Sequence, residues 1–319
     1  MVLRRTKFGL RQSSGKCLIK DDAFARSEGL EKMETCVVFA TSNRPKILSS
    51  TLRSLEFQTV QPASTILSCV TASDADLSTV GRGVKLITGE RGLTKQRNAA
   101  LRSLPENVSI VVFFDDDFIP HPRWIEVVEH TFRTNPDIMV VTGNVIADGI
   151  NGPGYTFEQA QILIENFKPT NINWIVEPRL PYGCNMAFRR SAIKDVWFDE
   201  RLVLYGWQED RDFGARVAKQ GRAVQVGAAS GVHLGVKTGR GSGVRLGYSQ
   251  ITNPIYLHRK GTMAFTAVVD HIFRNFISNL VRALVPESYV DRPGRLRGNL
   301  LAFADVLRGR ILPERAEQL

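Results

Sequence analysis

The sequence predicts an α/β domain, a mainly parallel sheet flanked by helices, followed by C-terminal amphipathic helices. Three observations carry that reading. Short apolar strand-like runs alternate with helical patterns through the first half of the chain. The runs lack polar alternation, as strands covered on both faces do. Beyond Thr262, apolar residues recur at helical spacing. With 319 residues, 43% of them hydrophobic and 23% charged, the chain is long enough to bury a core and is neither disordered nor fibrous.

Taken in order, residues 1–34 show no periodicity and are expected to form a poorly ordered lead-in. The folded body is expected to open at Thr35, with strands at Cys36–Thr41, Ser64–Val70, Val84–Thr88 and Ser109–Phe114. Helices are expected near Pro45–Gln58 and Thr94–Leu104; Ser42 or Asn43 caps the first, with Pro45 in its first turn. His121–Pro122 opens a helix to about Thr134. A strand at Ile138–Val145, a Gly/Asn/Pro-rich loop at Asp148–Tyr155 and a helix near Phe157–Asn166 follow. Tyr182–Arg189 reads as a strand, Glu209–Gln220 as a helix and Ala223–Val226 as a strand. The Gly-rich segment Gly235–Gly247, with Lys237, Arg240 and Arg245, reads either as a loop closing on a diphosphate or as a plain solvated loop. Residues 265–285 form a regular amphipathic stripe, and a weaker helix runs from Leu296 to about Leu307. The expected organisation is a lead-in at 1–34, a catalytic domain at 35–260 and a basic amphipathic helical appendage at 261–319.

The net charge of +10 is unevenly spread. Residues 1–34 hold 8 basic and 5 acidic side chains, residues 35–232 hold 21 of each, and residues 233–319 hold 13 and 6. A neutral body with a basic tail fits an anion-facing appendage, such as contact with an anionic membrane, and no nucleic-acid partner is expected. Cys17, Cys36, Cys69 and Cys184 form no CxxC pair, which points to a reduced cytoplasmic protein without a zinc site. No secretory signal is evident, and no apolar stretch reaches the roughly 18 residues of a membrane span. A peripheral place on the inner face of the membrane stays open. The 265–285 stripe fits either docking on the body or lying in the membrane plane.

Two acidic constellations carry the chemistry. Asp115, Asp116 and Asp117 directly follow the apolar run Val111–Phe114, where their mutual repulsion needs a cation or ligand to offset it. Alternation in an extended segment points Asp115 and Asp117 into one pocket and Asp116 elsewhere. Hard oxygen donors of this kind suit Mg²⁺ or Mn²⁺ bridging to diphosphate oxygens. Second, Glu209, Asp210 and Asp212 stand at a helix start, where the dipole keeps a carboxylate anionic. Asp210 shares a face with Phe213 and Val217 and is the candidate general base.

The ordered segments Thr41–Pro45, Gly92–Asn98, Asp115–Asp117, Tyr182–Arg190 and Phe198–Glu200 leading to Glu209–Asp210 resemble those of a family-2 inverting glycosyltransferase, over roughly Thr35 to His233. The resemblance implies the glycosyltransferase A-type fold and transfer from a nucleoside-diphosphate sugar, UDP-hexose by family default, to a glycan acceptor hydroxyl. It implies Thr41, Arg44, Arg97, Asp115 and Asp116 on the donor, Asp117 and His233 on the metal, Asp210 as base, and Tyr205, Trp207 and Glu209 at the acceptor. The family's uracil-reading Asp is missing, because Val70 or Thr71 holds its place, and Asp74 is the candidate substitute. The implied role is exopolysaccharide or lipopolysaccharide synthesis on a lipid-linked acceptor.

Two other classes compete with this reading. A nucleotidyltransferase needs a glycine-rich loop after its first strand, and Thr41–Ile47 holds no glycine. A non-enzymatic membrane- or nucleic-acid-binding module would rest on the basic C-terminal region alone.

Overall fold

The computed structural model describes residues 16–18, 33–76, 83–167, 174–237, 241–285 and 287–319. Strand β1 spans Lys16–Leu18, β2 Thr35–Thr41, β3 Ser64–Cys69, β4 Val84–Thr88 and β5 Ile110–Asp115. Strand β6 spans Phe118–Pro120, β7 Ile138–Asp148, β8 Trp174–Val176, β9 Asn185–Arg189 and β10 Arg222–His233. Helices α1 (Pro45–Glu56), α2 (Leu93–Arg102), α3 (Trp124–Thr134), α4 (Phe157–Glu165) and α5 (Glu209–Val217) cover the sheet. Helices α6 (Gly243–Lys260), α7 (Phe265–Ala283) and α8 (Arg292–Leu307) follow it.

The sheet runs β1-β8-β10-β7-β9-β5-β2-β3-β4, with β6 also paired to β10. Strands β4, β3, β2 and β5 run parallel to one another, and β7 runs parallel to β10. Strand β9 lies antiparallel between β5 and β7, which makes the whole a mixed sheet. Alternation along β2 divides the core. Val37 and Phe39 pack with Leu48 of α1 and Trp124 of α3, while Cys36 and Val38 pack with Ala100 of α2 and Phe213 of α5. Because β2 and β5 are parallel and in register at Ala40 and Asp115, Thr41 and the acidic run emerge at the same strand end, where α/β sheets bind ligands.

Two expectations about the periphery need correcting. Lys16–Leu18 pairs with β8, so part of the expected lead-in belongs to the sheet; its other residues up to 32 lie outside the described set. The segment expected as a Gly-rich loop becomes helix α6 from Gly243, and Arg245 on it donates to the Leu319 carbonyl; Arg240 lies outside the described residues. Two glycines allow the close crossing of α6 and α8. A Cβ at Gly247 would meet the Arg295 carbonyl oxygen at 2.0 Å, and one at Gly298 the Val244 oxygen at 2.0 Å. Helices α6, α7 and α8 are further tied by a buried polar network in which Asn279 donates to Gln250 and Asn299, and Asn299 donates to the Gly247 carbonyl. The helical layer thus begins at α6, ahead of the expected boundary at 261. Among the described residues no helix is long and apolar enough to cross a membrane.

Candidate active site

A cleft of about 1990 Å³ opens at the strand ends and is lined by β2, β5, the loop before α5, and α6 and α7. Small-molecule pockets run to roughly 300–1,000 Å³. The cleft has room for a donor and an acceptor together.

The acidic run sorts by alternation. Asp115, Asp117 and His233 bring one ligand atom each within 4.8 Å of one another. Asp116 turns away, accepting from Thr41 Oγ1 at 2.6 Å and from Arg44 at 3.0 Å. Burial pushes the Asp116 carboxyl up to about 6 against the pull of Arg44. Burial also works against ionisation of Asp117, but the His233 imidazole, Arg44 and the Val236 N–H hold it below the usual carboxylate range. His233 Nε2 stands 3.3 Å from Asp117 Oδ1, and its Nδ1 2.9 Å from Asp148 Oδ1. Burial depresses His233, yet these two carboxylates outweigh it and push the ring up to about 10. Asp148 in turn accepts from the Tyr182 hydroxyl at 3.0 Å. Two carboxylates and an imidazole oriented by an outer carboxylate form a donor set that fits a divalent cation.

Arg97 lies beneath this group, almost wholly buried. Its guanidinium pairs with Glu209 and with Asp115 at 3.1 Å, and donates to the Gly183 carbonyl at 3.0 Å. It also stacks over the Phe113 and Phe198 rings at 5.6 and 5.5 Å. Glu209, expected at the acceptor, is instead this buried cation's partner; burial pushes its carboxyl up to about 8 although Arg97 opposes the rise. Asp210 is the half-buried member of the pair and faces the cleft. Its Oδ2 accepts from the Gly183 N–H and its Oδ1 from the Arg211 N–H, both at 2.8 Å. The other inward-facing carboxylate of α5 is Asp212, held by Arg216, Lys260 and Thr262.

The loop before α5 is conformationally costly. Leu204 and Gln208 have φ of 59° and 71°, values at which a side chain is strained. Gly206 between them has φ 65°, and a Cβ there would stand 2.8 Å from Glu209 Cγ. This shape holds Tyr205 exposed at the cleft and leaves Trp207 Nε1, Gln208 Oε1 and Arg211 Nε buried without a partner. Asp74 is not part of the cleft. It is buried, and its carboxylate accepts from the N–H groups of Asn43, Val70 and Thr71, tying the ends of β2 and β3 together. Thr41, Arg44, Arg97, Asp115, Asp116, Asp117, Tyr205, Trp207, Glu209, Asp210 and His233 all line the cleft. Asp148 is one of several lining residues, with Asn144 and His271, that the sequence did not single out; its one signal was its place at the end of an apolar strand.

Fold and site define a mixed α/β domain with an acidic, histidine-bearing cleft at its strand ends. A family model for glycosyl transferase family 2 matches residues 36–197, half of the chain, and the chain belongs to that family. A curated relative, the glucosyl-dolichyl phosphate glucuronosyltransferase of Haloferax volcanii, is 31% identical over 88 residues. That match spans 27% of this chain and 28% of the relative. Among solved structures, S. aureus TarS 1-349 in complex with UDP-GlcNAc superimposes with a TM-score of 0.53 at 18% identity, covering 90% of this chain and 84% of that one. The mannosyltransferase PcManGT from Pyrobaculum calidifontis, in complex with GDP-Man and Mn²⁺, gives 0.52 at 16% identity, covering 93% and 83%. At these identities the likeness is one of fold.

Proposed function

We propose that the chain is an inverting, metal-dependent hexosyltransferase that moves a sugar from a nucleoside-diphosphate sugar, UDP-hexose as the first candidate, to a hydroxyl of a lipid-linked glycan in surface-polysaccharide synthesis. The observation that carries the reading is the Asp115, Asp117 and His233 group facing the same cleft as Asp210. A divalent cation bound by Asp117 and His233, with Asp115 beside it, would neutralise charge on the departing diphosphate. Thr41 and Arg44 anchor Asp116 at the strand end where the nucleoside would lie. Asp210 takes the proton of the acceptor hydroxyl as its oxygen attacks the anomeric carbon; the bond to the diphosphate breaks with its electron pair, and configuration inverts. The Gly183 and Arg211 N–H groups orient that carboxylate and leave lone pairs on both oxygens for the hydroxyl. Tyr205, exposed at the cleft, offers its ring face to an acceptor sugar, with Trp207 beside it in the lining. The UDP-GlcNAc and the GDP-Man with Mn²⁺ of the two structural neighbours support the donor class and the metal. The dolichyl phosphate in the curated relative's name supports a lipid-linked acceptor.

The test is incubation with a panel of UDP-, GDP- and dTDP-sugars in Mn²⁺, Mg²⁺ or EDTA, reading nucleotide release and the anomeric configuration of the product. Metal-dependent release of a nucleoside diphosphate with inversion supports the proposal. Release of sugar 1-phosphate instead, from attack on the nucleoside-bearing phosphorus, favours the nucleotidyltransferase and sinks it.

A further inference from the structure

Helix α7 has two chemically opposite faces. His271, Arg274, Asn275, Ser278 and Arg282, spaced by steps of one, three and four residues, line the cleft that holds Asp210. This polar stripe and the proposed base therefore line one cleft. The opposite stripe meets solvent. Phe265 and Phe273 are each 63% exposed and Leu284 83%, with Val269, Leu280 and Val281 also exposed. Between the two faces, Val268 packs with α6 and Phe276 packs edge-on against Phe303 of α8.

A contiguous apolar stripe of this length marks an interaction surface, and the charge around it identifies the partner. From His233 onward basic residues outnumber acidic ones by 13 to 6. The acids nearest the stripe are already engaged: Asp270 with Arg274, and Glu287 with Arg282 and Arg292. The exposed Arg259 follows His258, whose ring touches Phe265 at 5.6 Å, and the exposed Arg308 ends α8 next to Leu307. A second copy of the chain would bring the same cations face to face. An anionic lipid surface attracts them while taking up the apolar side chains.

We propose that α7 lies in the surface of an anionic bilayer through its Phe265–Leu284 apolar stripe, so that its polar stripe walls the cleft on the side where an acceptor on an anionic lipid enters. The acceptor half rests on the transferase reading above; the bilayer half does not.

The test is flotation of the full chain with phosphatidylcholine vesicles, with and without phosphatidylglycerol, for the native protein and the Phe273→Ser/Leu284→Ser double variant. The native protein is expected to float with the anionic vesicles, less so as salt rises. The variant is expected to lose about tenfold in binding while keeping the same melting shift with nucleoside diphosphate and Mn²⁺. A native protein that gives that shift but does not float, or a variant that floats equally, overturns the proposal. So does self-association abolished in the variant without any flotation, which assigns the stripe to a second copy. Flotation without any nucleotide shift keeps the bilayer half and sinks the transferase reading.

Discussion

His233 Nδ1 lies 2.9 Å from Asp148 Oδ1, so a carboxylate outside the acidic run fixes the ring whose other nitrogen faces Asp117. Outer-shell partners of this kind typically carry 10–100-fold of metal affinity. Asp148→Asn is therefore expected to weaken Mn²⁺ binding by about that factor, read by titration in the presence of nucleoside diphosphate. Unchanged affinity would detach His233 from the metal.

The same ring sets a pH dependence. Its folded value of about 10 lies above its ordinary 6.5, so its stabilising contribution is full below about 6.5 and is lost as pH rises toward 10. In EDTA the native protein is expected to melt progressively closer to His233→Gln across that window. A gap between the two that stays constant with pH would contradict the pairing with Asp117 and Asp148.

Arg97 is buried between Glu209 and Asp115. Arg97→Met leaves two carboxylates facing each other without their cation, a loss of about 3–5 kcal/mol for a buried pair broken on one side. Arg274, exposed on α7 and paired with Asp270, is expected to cost under about 1 kcal/mol when replaced by Ala. Urea melts separate the two, and similar losses would place Arg97 outside the core of the site.

Asp210→Asn keeps the size of the side chain and removes its basicity. Transfer is expected to fall by about 10²–10⁴-fold, the usual share of a general base, with nucleotide affinity unchanged. Weaker nucleotide binding with transfer partly kept would move the base elsewhere.

The strand-helix alternation and the opposed facing of Asp115 and Asp116 were legible because strand period and burial act locally. The pairing of Arg97 with Glu209 was not, since the partners are 112 residues apart and a helix wheel cannot choose between adjacent acids. Asp148 was missed because β7 continues through Ile146 and Ala147 to Asp148, three residues past the expected strand end at Val145. Helix α6 was hidden by Gly243, Gly247 and Pro254, residues that read as a loop but that the close crossing with α8 accommodates.

The central claim is a metal-dependent nucleotide site, and its most direct test is a thermal melt with UDP, GDP, dTDP and CMP, each in Mn²⁺, Mg²⁺ or EDTA. A nucleotide at about 100 times its dissociation constant adds roughly 2.7 kcal/mol, a shift of several degrees. The account expects such a shift with one nucleoside diphosphate, present in Mn²⁺ or Mg²⁺ and lost in EDTA and in Asp117→Asn. An equal shift in EDTA, or none with any nucleotide, would contradict it.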